Sequence, residues 1–230
     1  MKAIILAAGS GKRLGSQGPK CMLKLPTGKT IIQNQIEALR ENGIKEIVVV
    51  VGFKKELIME QNPSVSYVYN PYYHVTNTSK SLMLALECIE QADIVWLNGD
   101  IYLEPELISR VLSASGNNVA VNTHHCGQEE VKYRTDNRGA ISEISKEVWP
   151  CDGECVGVNT ISRGCFADFL EGLRRCEQQD YFEKAIEMVI AQGMEFRPID
   201  ISDLNCVEID FLRDFKKANG FFEIPSEKAE

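Results

Sequence analysis

Along the first half of the chain, apolar runs rich in β-branched residues alternate with stretches of helical periodicity. Residues 3–6, 46–52, 65–69 and 92–97 carry continuous rather than alternating hydrophobicity, which predicts strands buried on both faces. Between them Ile32, Gln35, Ile36 and Leu39 fall at helical spacing within 31–42, with Gly43 as the stop. Leu82, Leu86 and Ile89 share one face of a helix expected over 79–91. This alternation predicts an α/β chain: three layers, α/β/α, with a mostly parallel, mixed central sheet covered by helices on both sides. Ligands of such sheets bind at the carboxyl ends of strands, which places residues 7–13 and Asn98-Gly99-Asp100 at the candidate site.

The second half is less regular. Residues 118–123 read as a strand, 131–134 and 140–144 as a hairpin around Asp136-Asn137-Arg138-Gly139, and 154–161 as another strand. Helices are expected over 165–176 and 181–192, ahead of a strand at 195–199. No internal repeat or low-complexity linker divides the chain, so a single domain over 1–219 is expected, with a polar tail at 220–230.

Composition narrows the function. The 230 residues are 44% hydrophobic, enough to fill a core, and the net charge of -8 argues against a general nucleic-acid surface. Any affinity for phosphate must therefore come from a local cluster of cations. No run approaches the ~18 apolar residues of a membrane span, and Met1-Lys2 leads straight into a strand without a signal-peptide pattern, so a cytoplasmic protein is expected. The eight cysteines, Cys21, Cys88, Cys126, Cys151, Cys155, Cys165, Cys176 and Cys206, are irregularly spaced and expected to be reduced. Cys151 and Cys155, with His124-His125-Cys126 upstream, lack the matching second pair of a zinc finger.

The candidate chemistry begins where the first strand breaks into Ala7-Ala8-Gly9-Ser10-Gly11-Lys12-Arg13-Leu14 and then reaches Pro19-Lys20. Gly9 and Gly11 let backbone N–H groups approach phosphate oxygens, and a following helix N-terminus favours negative charge there. Walker A spacing is absent, and the dinucleotide fingerprint would need glycine where Leu14 stands. Leu6, Ala7, Ala8, Gly9, Ser10, Gly11, Lys12, Arg13 and Lys20 are the candidate nucleotide-binding residues; the plainer reading is a tight turn with solvated cations. Asn98-Gly99-Asp100 puts a carboxylate just past a buried strand, though the same residues suit an ordinary turn. Val207-Glu208-Ile209-Asp210 is a second acidic segment. Because Mg²⁺ on phosphates takes one or two protein carboxylates, Asp100 and Asp210 are the candidate metal pair.

The order small-small-Gly-x-Gly-x-Arg followed by Pro-Lys resembles that of the nucleotidyltransferases that join a nucleoside triphosphate to a phosphorylated sugar or alcohol. The likeness is strongest to small cytidylyltransferases acting on phosphocholine, inositol 1-phosphate and similar acceptors. It rests on Asn70-Pro71-Tyr72-Tyr73, Thr76-Asn77, Ser81-Leu82, Asn98-Gly99-Asp100, Val131-Lys132, Ile144-Ser145-Lys146, Gly153-Glu154-x-Val156-Gly157 and Glu208-Ile209-Asp210, in that order. The resemblance implies a Rossmann-like nucleotidyltransferase fold divided into a nucleotide-binding part over residues 1–115 and an acceptor-binding part over 116–219. It also implies Mg²⁺ as cofactor, and as partners a nucleoside triphosphate, CTP by preference, and a phosphorylated acceptor. Lys20, Arg13 and Asp100 would form the catalytic group, with Asp100 and Asp210 holding the metal. Asn77, Ser81 and Gly99 would lie near the nucleotide, and Lys132, Glu154 and Asn159 would face the acceptor.

Asn77 also reads as a helix cap, and Lys132 as an exposed strand residue. Cys206 departs from the pattern, standing where the group more often carries an aromatic residue. The rival within the same chemistry is a sugar 1-phosphate nucleotidyltransferase using UTP, GTP or dTTP. A nucleotide-sugar glycosyltransferase would carry Asp-x-Asp where this chain has Asn98-Gly99-Asp100, and a non-catalytic nucleotide-binding module would lack one of Lys20, Asp100 and Asp210.

Overall fold

The computed structural model describes residues 1–11, 18–124, 126–127 and 130–221. Strand β1 (Lys2–Ala7) lies in the middle of the central sheet, parallel to β2 (Glu46–Val51) on one side and to β4 (Ile94–Asn98) on the other. β3 (Ser66–Tyr69) closes one edge beside β2. Beyond β4 the direction reverses: β9 (Gly153–Ile161) runs antiparallel between β4 and β6 (Asn118–Asn122), and β10 (Arg197–Asp200) pairs parallel with β6 at the far edge. The hairpin of β7 (Lys132–Thr135) and β8 (Ile141–Ser145) extends from the first residues of β9. The sheet is mixed and covered on both faces, as the alternation of elements predicts.

Side chains alternate across the central strands, so each strand feeds two cores. Ile4 and Leu6 face helices α3 (Thr78–Glu87), α5 (Phe166–Arg175) and α6 (Phe182–Ala191), where Trp96 stacks on Phe169 at 5.1 Å and meets Phe182 edge-on at 5.8 Å. Ala3, Ile5 and Ala7 face α1 (Ile31–Glu41), α2 (Lys55–Gln61) and α4 (Pro105–Ser113). The helix α1 starts at a capping box, in which Thr30 accepts from the Gln33 N–H while the Gln33 side chain accepts from the Thr30 N–H.

Three expectations need correction. β3 is an edge strand, half-exposed rather than buried on both faces, because no strand lies beyond it. Helix α3 ends at Glu87, four residues early: the Cys88 N–H tightens onto the Ala85 carbonyl, and Gln91 leaves the helix to donate to the Arg163 carbonyl. Cys126 and Cys151 are joined as a disulfide, contrary to the expectation of reduced thiols, while the other six cysteines are free. The cause is topological: Asn122 on β6 pairs with Glu154 on the antiparallel β9, so the chain leaving β6 and the chain entering β9 share one end of the sheet. Helices α2, α4 and α7 (Leu212–Gly220) and the short strand β5 (Ile101–Leu103) are additions to the elements read from the pattern. Among the described residues no helix is long and apolar enough to cross a membrane.

Candidate active site

The carboxyl ends of β1 and β4 open into a cavity of about 430 Å³. At the end of β1 the chain turns through Gly9, Ser10 and Gly11, all on the cavity wall with Leu6 and Ala7. Gly11 has φ 60°, and a Cβ there would meet Lys20 Cγ at 2.8 Å, so its lack of a side chain is what lets Lys20 cross beneath the loop. Ala8 lies behind the wall, its carbonyl accepting from the Phe53 N–H. Lys12 and Arg13 lie outside the described residues.

The turn after β4 is fixed from below. Gln35, fully buried on α1, donates from Nε2 to the carbonyls of Asn98 and Ile101, 2.8 Å each, and so clamps Gly99 and Asp100 between them. The Gly99 N–H donates to the Leu6 carbonyl, tying this turn to the glycine loop. A Cβ on Gly99 would lie 2.8 Å from that oxygen and 3.0 Å from Ala7 Cβ. Replacing Gly99 by Ala is therefore expected to push the two turns apart, at an overpacking cost of about 1–3 kcal/mol and with roughly tenfold or greater loss of turnover from misplaced groups. Thermal unfolding and initial rates read both effects; an unchanged melting temperature and rate would show that the turn can shift freely.

Asp210 comes to Asp100 through a second, two-stranded sheet. β11 (Cys206–Glu208) pairs antiparallel with β5, Glu208 opposite Ile101, and the Ile209 N–H donates to the Asp100 carbonyl. As a result one carboxylate oxygen from each of Asp100, Glu208 and Asp210 lies within 4.8 Å of the others. Three hard oxygen donors at this separation suit a divalent cation such as Mg²⁺. Lys20, rising from the short 3-10 turn Lys20–Met22, puts its Nζ 3.0 Å from Asp100 Oδ2 and in contact with Asp210 Oδ1. Burial works against the ammonium, and the two carboxylates more than offset it, holding the lysine pKa above its ordinary value. Glu208 is exposed at the surface, yet desolvation of its carboxyl against the cluster, together with the charges of Asp100, Asp210 and Glu130, pushes its pKa well above the ordinary carboxylate range.

The remaining candidates divide. Asn77 lines the cavity and also caps α3, accepting from the Thr78 N–H. Ser81 does not reach the wall; it is buried and accepts from Asn70 Nδ2 at 3.0 Å, one layer behind. Nor do the three acceptor-side candidates reach it. Lys132 is buried and donates to the Lys146 carbonyl at 2.7 Å, Glu154 accepts from the Gly127 N–H, and Asn159 sits inside the sheet opposite Trp96. Lys132 and Glu154 lie on the strand face opposite Val131 and Cys155, which line the cavity, whereas Asn159 shares the face of Trp96 and sits farther down the sheet from the carboxyl ends. The wall facing the carboxylates is built instead by Glu130, Val131, Lys146, Tyr181 and Glu183. Lys146 carries a trace in the sequence as part of Ile144-Ser145-Lys146, whereas Glu130 and Glu183 carry none.

A domain model of NTP transferases, described as the MobA-like NTP transferase domain, matches residues 3–149. The chain belongs to the MobA-like NTP transferase family. This NTP transferase is 34% identical to the CTP:phosphoglutamine cytidylyltransferase of Campylobacter jejuni, over 94% of this chain and 98% of that one. It is 30% identical to the CMP-5'-(3-aminopropyl)phosphonate synthase of Streptomyces rubellomurinus over 99% of this chain but 40% of that protein. The chain spans about half the length of several other curated relatives it matches. Its fold is shared with the CTP:phosphocholine cytidylyltransferase of Streptococcus pneumoniae, with a TM-score of 0.78 at 22% identity over 96% of this chain and 99% of that one.

Proposed function

We propose that this NTP transferase is a Mg²⁺-dependent cytidylyltransferase that transfers CMP from CTP to a phosphorylated or phosphonylated alcohol. The observation that carries the reading is Lys20 held between Asp100 and Asp210 at the foot of the glycine loop. A phosphate oxygen of the acceptor attacks the α-phosphorus of CTP in line, the bond to the β-phosphate oxygen breaks, and pyrophosphate leaves with its electron pair. The nucleophile is already ionised at neutral pH, so no side chain has to take its proton. Asp100 and Asp210, with Glu208 beside them, would hold Mg²⁺, whose positive charge offsets that of the triphosphate. Backbone N–H groups of residues 9–11 bind the phosphates, Lys20 stabilises the charge that develops on transfer, and Lys146 supplies a cation on the acceptor wall. The names of the relatives support CTP over other nucleotides. A CTP-consuming reaction of this kind suits the cytoplasm.

Pyrophosphate release with Mg²⁺ and each of CTP, UTP, GTP, ATP and dTTP tests the reading, crossed with phosphocholine, inositol 1-phosphate, aminoalkyl phosphates and phosphonates, and sugar 1-phosphates. Release with CTP and a phospho- or phosphono-alcohol is expected. Release with UTP, GTP or dTTP and a sugar 1-phosphate would transfer the protein to the rival substrate class. Silence from a folded protein that binds no nucleotide would overturn the glycine-loop assignment.

A further inference from the structure

Beyond the carboxylate cluster, the cavity runs toward the start of α6, where Glu130, Lys146, Tyr181 and Glu183 line it. A second hollow of about 290 Å³ shares the last three of these residues. Glu183 is 8% exposed, yet it faces both hollows, and its Oε2 accepts no hydrogen bond among the described residues. Buried carboxylate oxygens are ordinarily supplied with donors, and one left without them on a cavity wall has room for a donor carried by a ligand. Lys146 does not fill that role, because its ammonium lies over the Tyr181 ring, 5.1 Å from the centroid. Burial pushes the Glu183 pKa up to about 7, with its own backbone N–H and the charge of Lys146 acting the other way. A cation at Oε2 would return the group to its ionised form.

We infer that the acceptor carries a primary ammonium group, which donates to Glu183 while Glu130 contributes a second negative charge across the cavity. The inference rests on the nucleotidyl-transfer reading above and names the class of its acceptor: an amino-alcohol phosphate or aminoalkyl phosphonate. A primary ammonium brings both a charge and three N–H donors. A trimethylammonium group has no N–H to give and needs an aromatic box. The described wall offers Tyr73, already packed on Phe53 and His74, and Tyr181, covered by Lys146. A neutral polyol brings no positive charge to offset the cost of ionising the buried Glu183 carboxyl.

The test compares 2-aminoethyl and 3-aminopropyl phosphates with the matched hydroxyalkyl phosphates, phosphocholine and inositol 1-phosphate, at saturating CTP and Mg²⁺. Each amine is expected to exceed its matched alcohol by roughly tenfold or more in kcat/KM, as a charge-assisted hydrogen bond allows. Glu183→Gln keeps the shape, removes the charge, and is expected to cut that preference by about tenfold through the KM of the amine, with the KM for CTP unmoved. Equal rates with amines and alcohols would overturn the inference, as would faster turnover of phosphocholine or inositol 1-phosphate, or a preference unchanged in Glu183→Gln. In each of these cases nucleotidyl transfer itself would still stand. No release with any acceptor, from a protein that binds CTP, would instead overturn the reading beneath it. The acceptor preference of the unsubstituted protein decides the matter even where the variant fails to fold.

Discussion

Lys20→Ala is expected to lower turnover by roughly 100-fold or more, the scale on which removal of a preorganised transition-state charge stabiliser acts. The substitution should also leave a signature in the absence of nucleotide. Lys20 is the cation shared by Asp100 and Asp210, whose carboxylates crowd Glu208 within a few ångströms. Without it, like charges face one another in a partly desolvated pocket, so the metal-free protein should melt at a lower temperature than the unsubstituted one. Added Mg²⁺ should restore much of the difference by mass action. Steady-state pyrophosphate release and thermal unfolding with and without Mg²⁺ check the two halves separately. A folded variant with undiminished turnover would remove Lys20 from the chemistry.

Asp210→Ala is expected to cost a comparable factor, about 100-fold or more, through loss of a ligand from the carboxylate cluster. Its mode should differ from that of the lysine variant: the Mg²⁺ concentration for half-maximal rate should rise, because Asp100 and Glu208 are left with one donor fewer. Titrating Mg²⁺ at fixed CTP distinguishes the two variants. Normal turnover in a folded Asp210→Ala protein would break the assignment of a shared carboxylate site.

Those residues were legible for a physical reason. Continuous apolar runs identify central strands wherever both faces are covered, and in this fold the turns leaving those strands line the site, so Gly9, Gly11, Gly99 and Asp100 could be placed without knowing which strand neighbours which. Asp210 needed one step more, because its meeting with Asp100 depends on the β5–β11 pairing, and β5 is only three residues long. The acceptor side was not legible at that level. Which face Lys132 and Glu154 occupy depends on the β7–β9 pairing, and how far Asn159 lies from the strand ends depends on its place opposite Trp96 in a β9 whose pairing with β6 shifts between Val119 and Val121. Between those pairs β9 spends four residues against two on β6, an irregularity that no hydrophobic pattern announces. Glu183 is invisible for a related reason. On α6 it sits where any first-turn acid would complement the helix dipole, and only the docking of α6 against α3, α5 and β8 turns it into the cavity. Gln35 reads as one more member of an apolar helix face, and its clamp on the carbonyls of Asn98 and Ile101 appears only when α1 meets the turn.

The late position of β11 bears on how the protein is made. During synthesis the glycine loop, the parallel strands and Asp100 all emerge before residues 206–210 have been added. A nascent chain can thus present the glycine loop while still lacking Glu208 and Asp210, two of the three clustered carboxylates, and the cluster closes only when β11 adds to β5. On the proposed reading the same dependence makes residues 206–210 a natural quality check, because a molecule clipped before them would keep its central sheet but lack two of the three carboxylates that would hold the metal.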